Sequence, residues 1–404
     1  MAATESTIRV SPAADKNPNP IAEGTKPEHW VDKLGTSFKN PWKSWRDQTR
    51  LETLTLIPTA LFSFPSPPKN SADILPVHKP TWDAEQPEHL IPGDAIKSTW
   101  LGHACFLVEF PSRRTGARGI RVLFDPVWSD RCSPSQLVGP KRYTQPPCKI
   151  EDIPEVDAVV ISHNHYDHLD TATIKALLRR TKRTPHFFAP LGNGAWFSSL
   201  GVPTSHTHIM DWWNSKRLKI AFGDETKSGL EVDITCTPGQ HFTGRSLHDH
   251  FRTLWAGWVV EEILPREMAA SAGEKSAREP VKVYFAGDTG YRSVKDGEDE
   301  DKVPVCPAFK AIGDKFGGFD YAMIPIGAYM PRQFMSRIHC APQDSVRLFQ
   351  DIRAKKATGM HWGTWILTSE DLTDPPKRLA EECKKVGIPA DDFTTCEIGQ
   401  TFFF

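Results

Sequence analysis

Val159-Val160-Ile161-Ser162-His163-Asn164-His165-Tyr166-Asp167-His168-Leu169-Asp170 sets a short apolar run directly against three histidines and a carboxylate. The four apolar residues Ala158 to Ile161 suit an interior strand, and Asp170 ahead of Thr171 to Arg180 reads as an N-cap followed by a helix. The donors therefore occupy a strand-to-helix turn. A metal site needs neutral imidazoles and an ionised carboxylate converging from one short piece of backbone, and His-x-His-x-Asp-His supplies all four. Ordinary surface turns are built from Gly, Asn and Pro rather than from three histidines, so a merely polar turn is the weaker reading.

Around this turn lies a chain of 404 residues, 39% hydrophobic and 25% charged, the profile of a soluble globular protein of one large domain or two. The formal net charge of -1 speaks against a nucleic-acid partner, whose phosphates call for a basic domain or stripe. Eight cysteines are scattered without a CxxC pair and no secretory signal opens the chain, which points to reduced thiols and an intracellular setting, cytoplasmic or peripherally membrane-associated. The apolar piece Leu54 to Phe64 is about half the length of a spanning helix and contains Pro58.

Residues 1–92 read as a proline-rich extension whose start is disordered and whose later part either packs on the domain or faces a membrane. Trp30, Phe38, Trp42 and Trp45 stand there among Lys33, Lys39, Lys43 and Arg46. Such a mixture suits a membrane interface, and equally suits pinning the extension to the domain. From residue 93 to 404 the texture is that of one domain of alternating strands and helices. Strands are expected at 98–100, 105–110, 120–124, 158–161, 186–189, 230–235, 254–260, 281–286, 321–325 and 357–360, with helices at 171–182, 192–200 and 342–354. Residues 265–280, rich in Ala, Ser, Glu and Lys, read as a surface insertion.

Four of these strands end in a metal-capable residue: His163 onwards, His241, Asp288 and His361. Loops at strand ends are where a rigid scaffold holds ligands to the tolerance a metal demands. His206 and His208 share a metal-like spacing but have no carboxylate nearby and are expected at the surface, as are His248 and His250.

With these residues in hand, the chain resembles the metallo-β-lactamase superfamily across roughly residues 97–404: His163-Asn-His165-Tyr-Asp167-His168, Pro238-Gly-Gln-His241, Ala286-Gly-Asp288-Thr-Gly and His361-Trp-Gly follow in order. Within it, the chain is most similar to the N-acylphosphatidylethanolamine-hydrolysing phospholipase D branch. That likeness rests on Phe38-Lys-Asn-Pro-Trp42, Thr99-Trp-Leu-Gly-His-Ala104, Ile326-Gly-Ala-Tyr-Met-Pro-Arg332, His339 and His361-Trp-Gly-Thr364. One departure is Ala341, where an acidic helix cap is expected before Pro342.

The resemblance implies an α/β (α+β) fold, an αββα sandwich of two facing mixed β-sheets, and two Zn2+ per chain. By the same resemblance His163, His165 and His241 would hold one zinc, Asp167, His168 and His361 the other, and Asp288 would bridge them. Zinc ions about 3.5–4 Å apart lower the pKa of a shared water and yield a hydroxide nucleophile for an in-line attack on a phosphodiester. His103 and His339 are the candidate acid or supporting groups, and Arg245 and Tyr166 the candidate substrate contacts. The implied reaction is hydrolysis of N-acylphosphatidylethanolamine to N-acylethanolamine and phosphatidic acid, with a phospholipid substrate and a membrane surface as partners. A homodimer is compatible with the sequence. Two other functions stay open: a metal-dependent hydrolase of a small soluble phosphoester or lactone, and a non-catalytic lipid-binding protein with a structural metal site.

Overall fold

Two mixed β-sheets lie face to face in the computed structural model, which describes residues 6–18, 24–48, 65–84, 86–88, 90, 94–112, 118–180, 183–222, 229–246, 248–264 and 279–404. One sheet has the order β15 (Thr401–Phe403), β2 (Lys97–Gly102), β3 (Cys105–Glu109), β4 (Arg121–Phe124), β5 (Ala158–Val160), β6 (His186–Pro190), β7 (Thr207–Met210). The other runs β1 (Ser6–Pro12), β8 (Ser215–Phe222), β9 (Leu230–Thr237), β10 (Gly257–Ile263), β11 (Lys282–Phe285), β12 (Phe319–Pro325), β13 (Ala354–Met360), β14 (Phe393–Thr394). Each sheet is antiparallel on one side and parallel on the other, the change falling at β4 and at β11. Helices α1 (Thr171–Arg180), α2 (Gly194–Ser199), α3 (Ala308–Phe316), α4 (Arg332–Met335), α5 (Pro342–Asp351) and α6 (Asp374–Lys385) connect the strands. The expected αββα sandwich of facing mixed sheets is the architecture found.

Side chains alternate across the first sheet as the two-residue period of a strand requires. Phe106, Val108, Val122, Phe124, Val160 and Phe188 enter the core between the sheets. Leu107, Leu123, Val159 and Phe187 point the other way, onto Ile174 and Leu177 of α1. The sheets meet where Phe124 and Phe285 lie with ring centroids 4.9 Å apart, and Trp258 of β10 donates its indole N–H to the Ile161 carbonyl at 3.0 Å.

Several elements lie outside the sequence expectation. Ser6–Pro12 is a strand paired antiparallel with β8, where a disordered start was expected; the alternation of Ile8 and Val10 packs half-buried against the core. Helix α5 stops at Asp351 rather than Ala354, since Arg353 takes a positive φ of 57° and β13 has already begun. At its other end Ala341 caps no first-turn N–H with a side chain, and the Asp344 carboxylate accepts the Ala341 backbone N–H at 3.2 Å. The apolar piece 54–64, residues 181–182 of the expected first helix and residues 265–278 of the expected insertion lie outside the described residues.

The aromatics of the extension are packed on the sandwich. Phe38 is buried, Trp30 donates to Asp211 at 3.0 Å, Trp42 stacks on Trp212 at 5.5 Å, and Trp45 meets Phe251 edge-on.

Candidate metal centre

The donors gather because strands running in one direction, β5, β11 and β13 with parallel partners and β9 between antiparallel ones, deliver their C-terminal ends to one edge of each sheet. His163 to His168 follow β5, His241 follows β9, Asp288 follows β11 and His361 follows β13. Both sheets therefore contribute to one buried point. The turns that carry the donors are tight. Gly287 has φ +59°, and a Cβ there would sit 2.6 Å from Ser162 Cβ, so only glycine lets Asp288 approach the His163 turn.

Asp288 stands at the centre. Its Oδ2 lies 3.0 Å from His361 Nε2, 3.1 Å from His168 Nε2, and 3.8 Å from both His163 Nε2 and His241 Nε2. On one side of it, His163 Nε2 is 2.8 Å and His241 Nε2 3.3 Å from His165 Nδ1. On the other, Asp167 Oδ2 is 3.5 Å from the Nε2 atoms of both His168 and His361. All seven residues singled out as metal-capable converge here, with His103 and His339 beside them, in overlapping groups of which Asp288 joins His163 and His168 in one and His241 and His339 in another.

Hydrogen bonds behind the cluster aim its rings. His241 gives its Nδ1–H to the Ile338 carbonyl at 2.8 Å, leaving the Nε2 lone pair inward. His168 is aimed by Asp125, whose Oδ2 accepts from Nδ1 at 2.7 Å. The same carboxylate takes the Ser162 backbone N–H at 2.7 Å and the Ser162 hydroxyl. Asp125 was missed in the sequence, where Asp125-Pro126 reads as the close of a strand. It is a fifth strand end bearing a metal-capable group, and that was its signal.

Electrostatics test whether these residues fit a cation. Burial holds His163, His165 and His241 neutral, His165 down to about 4 and the other two well below the ordinary imidazole range. Burial is the largest influence on Asp167 and Asp288 and opposes their charge, yet the surrounding histidines together, His168 foremost, outweigh it and keep both carboxyls well below the usual range. Against the same burial penalty, Asp288 and Asp167 push His361 up to about 9 and His168 well above its ordinary value. Protons on His168 and His361 thus compensate two buried anions, which is the work of a cation. In addition, Asp288 Oδ1, His168 Nε2 and His361 Nε2 are buried without a well-formed hydrogen bond. The donor set, imidazole nitrogen with carboxylate oxygen, suits zinc or another divalent first-row ion.

Four flanking candidates take different places. His103, with φ +53°, sets Nε2 at 3.0 Å from Asp167 Oδ2, and its carbonyl accepts the His361 N–H at 3.1 Å. His339 is buried beside Asp288, Nδ1 to Oδ2 4.0 Å, and burial lowers it to about 3. Arg245 is no solvated loop cation: its guanidinium lies 4.2 Å from the Tyr166 ring and 5.5 Å from the Trp196 ring, and it donates to the Leu169 carbonyl. Beyond His361 a cleft opens between Tyr143, Trp365, Leu367 and Leu372. His208, expected at the surface, is instead buried in β7 with Nε2 2.8 Å from His186 Nδ1, at the opposite ends of the parallel strands from the metal cluster.

The domain model of the β-lactamase superfamily matches residues 120–362 of this chain. Over 378 residues the chain is 34% identical to the N-acyl-phosphatidylethanolamine-hydrolyzing phospholipase D 1 of Caenorhabditis elegans, covering 91% of this chain and 92% of that one. It is 29% identical over 400 residues to the mitochondrial N-acyl-phosphatidylethanolamine-hydrolyzing phospholipase D of Saccharomyces cerevisiae, covering 91% and 75%. A possible metal-dependent hydrolase from Veillonella parvula shares the fold, with a TM-score of 0.50 at 17% identity over 76% of this chain and 99% of that one.

Proposed function

Because this chain belongs to the metallo-β-lactamase superfamily, in the N-acylphosphatidylethanolamine-hydrolysing phospholipase D branch, and is a metal-dependent hydrolase, we propose the following activity for it. It is a zinc-dependent phosphodiesterase that cleaves N-acylphosphatidylethanolamine to N-acylethanolamine and phosphatidic acid at a membrane surface. The observation that carries the substrate is the 34% identity to the Caenorhabditis elegans enzyme over 91% of this chain. This reading takes contact with the bilayer as peripheral; no helix among the described residues is long and apolar enough to cross a membrane.

In this reading His163, His165 and His241 hold one ion, Asp167, His168 and His361 the other, and Asp288 faces both. Two such ions supply an activated water and neutralise charge on a phosphodiester. The chain's own residues do the rest. Asp125 and the Ile338 carbonyl fix the two tautomers that leave lone pairs inward. His103 steadies the Asp167 carboxylate. Arg245, braced on Tyr166, brings a cation to the mouth, and we assign both to the substrate phosphate. His339, held neutral by burial, offers Nδ1 as an atom that no hydrogen bond among the described residues uses.

Purified protein incubated with N-acylphosphatidylethanolamine in mixed micelles should release phosphatidic acid, and both a chelator and Asp288→Asn should stop the release. No turnover at full metal occupancy sinks the substrate assignment. Turnover confined to a water-soluble diester or lactone would favour the soluble-substrate hydrolase. Fewer than two ions per chain with no hydrolysis would favour the lipid-binding protein.

A further inference from the structure

We propose that the loop from Asp130 to Arg142 is the element by which this protein docks on a bilayer, with Leu137 and Val138 entering an anionic phospholipid surface. The inference rests on the phospholipid reading above and locates the membrane contact that such a substrate requires.

The aromatics that the sequence offered for this task are taken. Phe38 is buried and Trp30, Trp42 and Trp45 are engaged with Asp211, Trp212 and Phe251. Leu137 and Val138, by contrast, are 86% and 65% exposed. Among the described residues this is the one place where two adjacent large aliphatic side chains both stand in solvent.

The tip is held rigid from within. Arg131 donates its backbone N–H to Gln136 Oε1 at 3.0 Å and its side chain to the Gln136 and Gly139 carbonyls, while Gln136 returns a bond to the Arg131 carbonyl at 2.9 Å. Arg131 and Lys141 pair as an isolated bridge at the base. Gly139, at φ +98°, closes the tip, and a Cβ there would meet Ser133 Cβ at 2.6 Å. Exposed leucine and valine on a flexible loop could fold back onto the protein, but on a braced loop they cannot.

The base is rooted in the rim of the metal cluster. Trp365 donates to the Asp130 carbonyl at 3.0 Å and packs edge-on against His103 at 4.9 Å. Tyr143 N–H reaches the Thr364 carbonyl at 2.9 Å, and the Thr144 hydroxyl reaches that of Gly363 at 2.6 Å, next to His361. The loop that carries the tip therefore springs from the rim of the site. Lys141 Nζ lies 3.9 Å from Asp130 Oδ2, so among Asp130, Arg131 and Lys141 the balance is a single positive charge, which favours anionic headgroups. A protein partner would need roughly 800 Å² on each side, far more than two side chains on a convex tip present.

The test is sedimentation of the full chain with sucrose-loaded vesicles of phosphatidylcholine, with and without phosphatidylglycerol, containing no N-acylphosphatidylethanolamine. Phosphatidylglycerol should strengthen wild-type binding, and the double variant Leu137→Asp/Val138→Asp should weaken it by at least about tenfold. Metal content and melting temperature should not change. Leu137→Phe should bind as the wild type does, and Leu34→Asp, at a residue 83% exposed outside the loop, should bind within about twofold of it. Unchanged binding of the double variant, an equal loss in Leu34→Asp, or no wild-type binding overturns the proposal. A protein that docks through the loop yet does not cleave the N-acylated lipid refutes the substrate and leaves the docking site standing. One that cleaves the lipid in micelles but binds vesicles independently of Leu137 and Val138 refutes the docking site alone.

Discussion

Asp125→Asn alters one atom at the point where the His163 turn is tied to the neighbouring strand. The buried carboxylate accepts three hydrogen bonds, from the Ser162 N–H, the Ser162 hydroxyl and His168 Nδ1. Asparagine keeps one oxygen and places an NH2 where Oδ2 was. The serine hydroxyl can rotate, but His168 Nδ1–H would face a donor. The ring escapes by moving its proton to Nε2, the atom 3.1 Å from Asp288 Oδ2. A protonated Nε2 cannot ligate. Loss of an outer partner typically lowers metal affinity about 10–100-fold, and a forced tautomer belongs at the upper end. A factor of about 100 is about 2.8 kcal/mol. Losing the charge-assisted bond costs about 1.5–3 kcal/mol of fold stability besides. Zinc titration in competition with a chromophoric chelator should show one of two ions weakened, and hydrolysis should fall in step. Two ions bound at wild-type affinity in Asp125→Asn would refute the idea that this carboxylate sets the His168 tautomer.

Three further outcomes follow from particular contacts. Asn40 donates to the His241 carbonyl at 2.7 Å from a buried position, so Asn40→Ala should lower the urea unfolding free energy by about 1–3 kcal/mol, although the residue lies 201 positions from its partner. Gly287→Ala adds positive-φ strain to a Cβ 2.6 Å from Ser162, and should cost about 2–5 kcal/mol and lower bound metal; a normal melting temperature with full metal would contradict the crowding described. Burial lowers His186 to about 4 and His208 to about 3, against about 6.5 in the unfolded chain. Between these values the unfolded state binds protons that the folded state does not, so stability is complete above about pH 6.5 and declines as pH falls toward 4. With partial solvent screening the loss at pH 5 is about 1 kcal/mol per histidine, and His186→Gln/His208→Gln should flatten the slope between pH 7 and 5 measured by urea unfolding.

The donors were legible because each is a local event, an apolar run broken by His or Asp, and chain order alone sets several such breaks at strand ends. What the sequence hid is long-range. Ser215–Phe222 alternates lysine and arginine with Leu218 and Ile220, and its basic residues mask a strand that becomes clear only beside β1 and β9. The pairing of β15 with β2 joins residues about 300 positions apart, and no local pattern records it. Asp125 was hidden for another reason: its role is to accept a proton from a ring 43 positions away, and a carboxylate before proline looks like any turn. The extension divided evenly between membrane and domain on composition, and only packing partners such as Trp212 could decide for its aromatics.

The division of the ligands between the sheets bears on how the protein matures. His163, His165, Asp167 and His168 ride on one sheet, and His241, Asp288 and His361 on the other. Neither sheet holds all seven donors alone. An ion bound between them acts as a cross-link closing a loop of nearly 200 residues, and such closure is possible only after the slow, non-local step of docking sheet on sheet. Coordination drawing on both sheets would thus be complete only once the sheets have docked.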